Sequence, residues 1–223
     1  EVCAEIFAGV RAACPGVLIS GTTSGRTYKE FEQRSQVLEL EGELKPDLAS
    51  LTLGSMNFAT QASVNEPKMI QSLALKMKER GIVPELEIFE LGMAEYTRYL
   101  INKSMLRSPF YANLLLGSLG TMSATLENLR LLVRALPPGT TWSGAGIGRF
   151  QLFVNRLAIE EGGHVRVGLE DNLWFDEQRT DPATNPRLVE RVAKLAQESG
   201  RAIASPGETR ALIGLAVAQP AMA

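Results

Sequence analysis

Residues 47–90 read DLASLTLGSMNFATQASVNEPKMIQSLALKMKERGIVPELEIFE. The apolar run Asp47–Leu53 predicts a strand, and the polar loop GSMNFATQASVN follows it. Asn65 and Pro67 are helix-entry residues. The helical spacing then runs to about Arg80, and Gly81 is a stop. Residues 85–90 (ELEIFE) predict the next strand. A strand, a helix and a strand in that order call for a right-handed crossover between parallel strands.

The same unit recurs on both sides. Upstream, residues 1–14 predict a helix with Val2, Ile6, Phe7 and Val10 near one face, stopped by Pro15 and Gly16. GVLISGTTSG (16–25) reads as a strand entering a polar turn, and 28–41 as a helix. Downstream the pattern gives a helix over 93–104, a strand over 110–116 and a helix over 123–135. Next come a strand over 140–143, the turn GAGIG and a helix over 149–161. A strand over 164–169, a helix over 186–199 and a short strand at 202–203 complete one domain, residues 1–215. The last eight residues, AVAQPAMA (216–223), predict a disordered tail.

Six βα units define an α/β chain with a parallel sheet, either open and doubly wound or closed as a TIM (β/α)8 barrel. Polar residues gather just past the strand ends: Thr22, Thr23 and Ser24; Ser55 and Asn57; Glu90; Ser118; Ser143; Glu170, Asp171 and Asn172. In a barrel these ends share one mouth, so the barrel is preferred. Six units are two short of eight, and the first element is a helix with no strand before it. The expectation is therefore a barrel lacking about its first two strands and first helix.

The 223 residues (24.3 kDa) carry 23 basic and 25 acidic side chains, without the basic excess of a nucleic-acid binder. No apolar run approaches the roughly 18 residues of a membrane span. Cys3 and Cys14 make no disulfide framework, which points to a reducing, cytoplasmic setting. His164 is the single histidine.

The segment His164–Asn172 (HVRVGLEDN) is chemically the richest. Strand alternation places His164, Arg166, Gly168 and Glu170 on one face and Val165, Val167 and Leu169 on the other. An inward Arg and Glu in a barrel need partners or a ligand, and Glu170 stands at the catalytic end of its strand. A purely structural Arg166–Glu170 or Arg166–Asp171 ion pair is the competing reading. His164 belongs to the opposite end. Glu85 and Glu87 share an inward face, with pairing to Arg166 as their structural alternative. The hydroxyls and amides of Thr22–Gly25 suit a carboxylate or phosphate, or else form an ordinary capped turn. Gly144–Arg149 opens a helix and is either a weak anion site or, more often, a tight turn. Trp142 and Trp174 are expected beside mouth loops as packing residues.

TTSGR, KPDLASLTLGSMNF, PELEIFELGM, WSGAGIGRFQL and HVRVGLEDN, in this order over residues 1 to about 215, resemble the beta-keto acid cleavage enzymes. The best-known activity of that family is 3-keto-5-aminohexanoate cleavage in lysine fermentation. The resemblance implies a zinc-dependent barrel, dimeric or tetrameric. It reacts a β-keto acid with acetyl-CoA to give acetoacetate and a new CoA ester. It further implies zinc on Glu170 and on two histidines of a His-x-His, with Asp171 as general base oriented by Arg166. Thr22, Ser24 and Gly25 would hold the substrate carboxylate, and Thr52 and Glu87 match further pocket positions. No His-x-His occurs in these 223 residues. It is expected in a segment before Glu1, so the chain as it stands would lack two of three zinc ligands. Two rival readings are a metal-independent carboxylate-binding barrel and a metal-dependent barrel aldolase using Gly144–Arg149 for a phosphate.

Overall fold

The computed structural model describes residues 2–58 and 61–215. Its strands are β1 (Ser20–Gly21), β2 (Leu48–Thr52), β3 (Met56–Asn57), β4 (Ala62–Ser63), β5 (Val83–Ile88), β6 (Tyr111–Leu116), β7 (Thr141–Gly146) and β8 (His164–Val165). Its helices are α1 (Val2–Ala13), α2 (Phe31–Arg34), α3 (Pro67–Arg80), α4 (Leu91–Asn102), α5 (Leu126–Ala135), α6 (Gln151–Glu160), α7 (Asn185–Glu198) and α8 (Pro206–Leu212). Six strands form one parallel sheet in the order β1-β2-β5-β6-β7-β8, as the recurring βα units require. The sheet curls into a half-barrel. Ser20 on edge strand β1 donates to Glu85 on β5, and Arg166, just past edge strand β8, comes within 3.8 Å of the same carboxylate.

Local chemistry sets the helix limits. Pro67 begins α3, and Gly81 ends it in the left-handed region at φ 61°. Thr125 and Thr184 accept from the amides of Asn128 and Arg187 at the starts of α5 and α7. Ser205 and Glu208 close a reciprocal capping box on α8. The convex face of the sheet is apolar. Ala49, Leu51, Leu86, Ile88, Ala112, Leu114 and Leu116 are buried with Leu73, Met77, Leu100, Leu129 and Val154 from the helices. At Gly144 a Cβ would come within 2.7 Å of the Ala158 methyl, so α6 lies directly on β7. At the foot of the sheet Asp47 accepts from Arg11 on α1 (3.1 Å) and from Arg210 on α8 (2.8 Å).

The concave face is polar. The register sets Ser50 beside Glu85 and Thr52 beside Glu87, then Glu85 beside Tyr111, Glu87 beside Asn113, and Asn113 beside Ser143. Asn113 donates to Glu85 and accepts from Ser143 and from Tyr111 (3.2 Å). Burial, with Glu85 nearby, pushes the Tyr111 phenol up to about 12, so it stays a neutral donor.

Several elements differ from the sequence expectation. The helix expected over 28–41 is the single turn α2 followed by 3-10 turns at 36–39 and 42–44. Ser35 breaks it, because Arg34 turns inward to partners on other loops. The strand expected over 164–169 stops at Val165. Arg166 N still bonds Gly144 O, but Asn155 then takes the Arg166 carbonyl and the chain turns at Gly168–Asp171. No strand forms at 202–203, where Ile203 is exposed. The β3–β4 hairpin lies inside a stretch read as loop, and β7 continues to Gly146, which places Ser143 inside the lumen. Trp142 lies at the foot of β7 against Gly163, away from the mouth. The tail 216–223 lies outside the described residues.

Candidate active site

The C-terminal ends of the strands surround a cleft of about 380 Å³. From the β1 side come Thr22, Ser24 and Arg26. Thr52 and Glu87 stand on β2 and β5, and Arg166, Glu170 and Asp171 come from the segment after β8. Phe58 and Phe89 add an edge-to-face aromatic wall.

Arg166 is the hub. Its Nε donates to Asp171 Oδ2 at 3.0 Å and its Nη2 to Asp171 Oδ1 at 3.3 Å. Its Nη1 reaches Glu87 Oε1 at 3.1 Å, and Nη2 reaches Glu170 Oε2 at 3.0 Å. A guanidinium fork fixes a carboxylate plane in a way an ammonium cannot. Burial works against the Arg166 charge, but Asp171, Glu87 and Glu170 outweigh it and hold its pKa above the ordinary value. The Asp171 side chain is only 7% exposed and faces the cleft, whereas Glu170 is 58% exposed. Glu87 is largely buried and accepts from Thr52 at 2.6 Å as well as from Arg166. Burial pushes its carboxyl above the usual glutamate value. Arg166 and Thr52 pull it down, and Glu85 and Glu170 add to the rise. Each Glu87 oxygen accepts one hydrogen bond, and the carboxylate lines the cleft.

Opposite this hub, Thr22 Oγ1 accepts from Ser24 N at 3.2 Å, and Ser24 Oγ accepts from Arg26 N and Nε. Arg26 then donates to Glu170 Oε1 at 2.8 Å and ties the two edges of the sheet together over the cleft. Gly25 lies behind the wall. A Cβ there would meet the Arg34 guanidinium at 2.8 Å. The hub thus brings together Arg166, Glu170, Asp171, Glu87 and Thr52, while Thr22 and Ser24 face it and Gly25 supports the turn from behind.

Gly144–Arg149 offers no anion cradle. Gly148 N donates to the Asp171 carbonyl at 2.6 Å, Ile147 N donates to Leu116, and Arg149 stacks over Phe150. At Gly146 a Cβ would fall 2.1 Å from the Phe150 carbonyl oxygen, so the turn is a packing device. His164 sits at the opposite end of the sheet, among Leu18, Thr141 and Ile213. Burial and Arg201 lower its pKa there. Among the described residues no group of three or more His, Cys, Asp or Glu side chains is arranged to hold a metal ion. Glu170 is the one expected zinc ligand at the mouth, and two arginines already engage it. These residues do not fit a zinc ion by themselves.

The profile of the beta-keto acid cleavage enzymes matches residues 1–215. The chain belongs to this family. It is 37% identical over 215 residues to the 3-oxoadipate:acetyl-CoA acetyltransferase of Cupriavidus necator, covering 95% of this chain and 74% of that relative. It is also 37% identical over 207 residues to the 3-keto-5-aminohexanoate cleavage enzyme of Fusobacterium nucleatum, covering 92% of this chain and 74% of that relative. The apo structure of ObcA superposes with a TM-score of 0.78 at 20% identity, covering 96% of this chain. The chain spans 54% of ObcA, so this family member shares the barrel fold over about half of that structure.

Sequence reasoning missed three positions. Arg26 was visible as the last residue of TTSGR but carried no periodic signal. Gln151 and Asn155 on α6 are fully buried and bond the carbonyls of Gly168, Gly144 and Arg166, which fixes the backbone carrying the hub. Two amides on the buried side of an otherwise apolar helix were the available signal.

Proposed function

We propose that this family member takes a β-keto acid into the cleft and, with acetyl-CoA, converts it to acetoacetate and a new CoA ester. The observation that carries this reading is Asp171, held in the Arg166 fork and facing the cleft opposite the Thr22–Ser24 turn. A β-keto acid is most acidic at the carbon between its carboxylate and its ketone. The hydroxyl turn holds the carboxylate, and Asp171 accepts the proton from that carbon. The resulting carbanion attacks the thioester carbonyl and releases the CoA thiolate. The thiolate adds to the original ketone carbon, the bond between the two carbons breaks, and Asp171 returns its proton to the departing acetoacetate carbanion. Arg166 holds Asp171 in one orientation through the cycle.

Zinc dependence, implied by the resemblance, would draw Glu170 from these residues. The names of the relatives make 3-oxoadipate and 3-keto-5-aminohexanoate the first keto acids to assay. We further propose a homo-oligomer, dimer or tetramer, to be checked by light scattering.

The test is turnover of each keto acid with acetyl-CoA, followed by Asp171→Asn. Loss of about 10²–10⁴-fold in turnover with ligand affinity retained is expected of a general base. Full activity in that variant removes Asp171 from the role. Carboxylate binding without any acetyl-CoA-dependent product favours a binding barrel instead.

A further inference from the structure

Arg34 is 4% exposed, and it lies directly behind the Thr22–Ser24 wall. Its Nε donates to the Thr23 carbonyl at 2.8 Å, and its Nη2 to Asn65 Oδ1 at 2.7 Å. Asn65 in turn bonds Ser63, which lines the cleft (3.4 Å). Among the described residues no carboxylate lies within ion-pair distance of Arg34. Its partners are neutral, and burial alone lowers its pKa. A buried charge without a counter-ion is costly.

The other cations of this wall are differently placed. Arg26 is matched by Glu170, and the exposed Lys29 caps the carbonyls of Gly25 and Arg26. Every main-chain carbonyl that Arg34 and Lys29 bind belongs to the turn 23–26, so the negative ends of its peptides are held away while Thr22 and Ser24 face the cleft. Gly25 is required here because a Cβ would meet Arg34 Nη1 at 2.8 Å and the Val64 carbonyl at 3.1 Å. The acids Glu87, Glu170 and Asp171 gather on the opposite wall around Arg166.

We infer that Arg34 is a positioning residue whose buried, unmatched charge makes the Thr22–Ser24 turn selective for a carboxylate, with the bound ligand as its counter-ion. This rests on the reading of that turn as the carboxylate end of the keto-acid site. Arg34 touches no substrate. It acts through the turn it braces and through its field, which in a site of low dielectric reaches several ångströms.

The experiment compares binding of acetoacetate with that of methyl acetoacetate, of nearly the same shape but uncharged, by titration calorimetry on the full chain. The wild-type protein is expected to prefer the carboxylate. In Arg34→Gln that preference falls by about tenfold or more, as expected for loss of a nearby buried charge, while ester affinity stays within about twofold. Arg34→Lys keeps the charge and is expected to keep the preference within about threefold, and it decides the matter if the glutamine variant does not fold. A preference unchanged in Arg34→Gln, an equal loss of both ligands, or a preference abolished in a folded Arg34→Lys overturns the role given to Arg34. If the wild type binds both ligands alike, the carboxylate reading of the turn itself falls, and this role with it.

Discussion

Arg166 and Asp171, five residues apart, form a two-point ion pair across a tight turn, at 3.0 and 3.3 Å. The pair converts the end of a two-residue strand into a rigid platform. Its backbone is held by Asn155 and Gln151, and its carboxylate is aimed at the cleft. Arg166→Gln removes the one cation shared by Glu85, Glu87, Glu170 and Asp171. Leaving buried carboxylates unpaired costs about 3–5 kcal/mol, read as a drop in the urea midpoint at pH 7. Arg166→Lys should recover part of that stability but little turnover, because an ammonium cannot hold both Asp171 oxygens.

Glu87 gives a pH signature. Burial raises its carboxyl above the unfolded value, so between the two values the native state binds more protons than the unfolded chain. Stability from this group is therefore present below the ordinary glutamate range and is lost as pH rises through the raised native value. Glu87→Gln lacks that titration. Thermal melts between pH 4 and 7 should show the variant gaining on the wild type as pH rises. A constant difference across the range would mean that Glu87 titrates normally.

Asn113 is the junction of the lumen network, bonded to Glu85, Ser143 and Tyr111. Asn113→Ala strands buried partners on three strands. Each unsatisfied group costs about 1–3 kcal/mol, so a clear loss in chemical denaturation is expected despite the small change in apolar packing. Asn113→Asp places a second acid beside Glu85 and should be worse than the alanine variant at pH 7 and better at pH 4.

Much of the fold was legible because the outer faces of the strands and the helices alternate cleanly. Leu86 and Ile88 face outward and Glu85 and Glu87 inward, as period-two reading requires. The pairing of Glu87 with Arg166 was visible as the structural alternative, and the Arg166–Asp171 pair could be read from their spacing. What was not legible depended on long-range partners. Arg34 looks like a surface residue on a charged helix until Thr23 and Asn65 are brought to it. The early end of β8 depends on Asn155, eleven residues away from Arg166 on another element. The need for glycine at position 25 is likewise long-range, since a Cβ there would meet Arg34.

Asp47 anchors the foot of the sheet, holding Arg11 beside Val17, Arg210 on α8 and the amide of Ile19. Asp47→Ala should release both helices together at a cost of about 3 kcal/mol or more, since two largely buried guanidinium groups lose one shared partner. Hydrogen exchange should then show α1 and α8 opening at the same rate while β5 to β7 stay protected. Independent opening of the two helices would show that other contacts hold them.

The hydrogen-bonded lumen also has a calorimetric consequence. Ser20, Glu85, Tyr111, Asn113 and Ser143 stand where a parallel barrel commonly carries branched aliphatic side chains. Hydrating polar surface lowers the heat capacity of the unfolded chain, whereas hydrating apolar surface raises it. Unfolding should therefore absorb less heat per degree than the usual ~12–15 cal/mol/K per residue. The stability curve becomes broad and shallow, changing little over the temperatures at which the protein works.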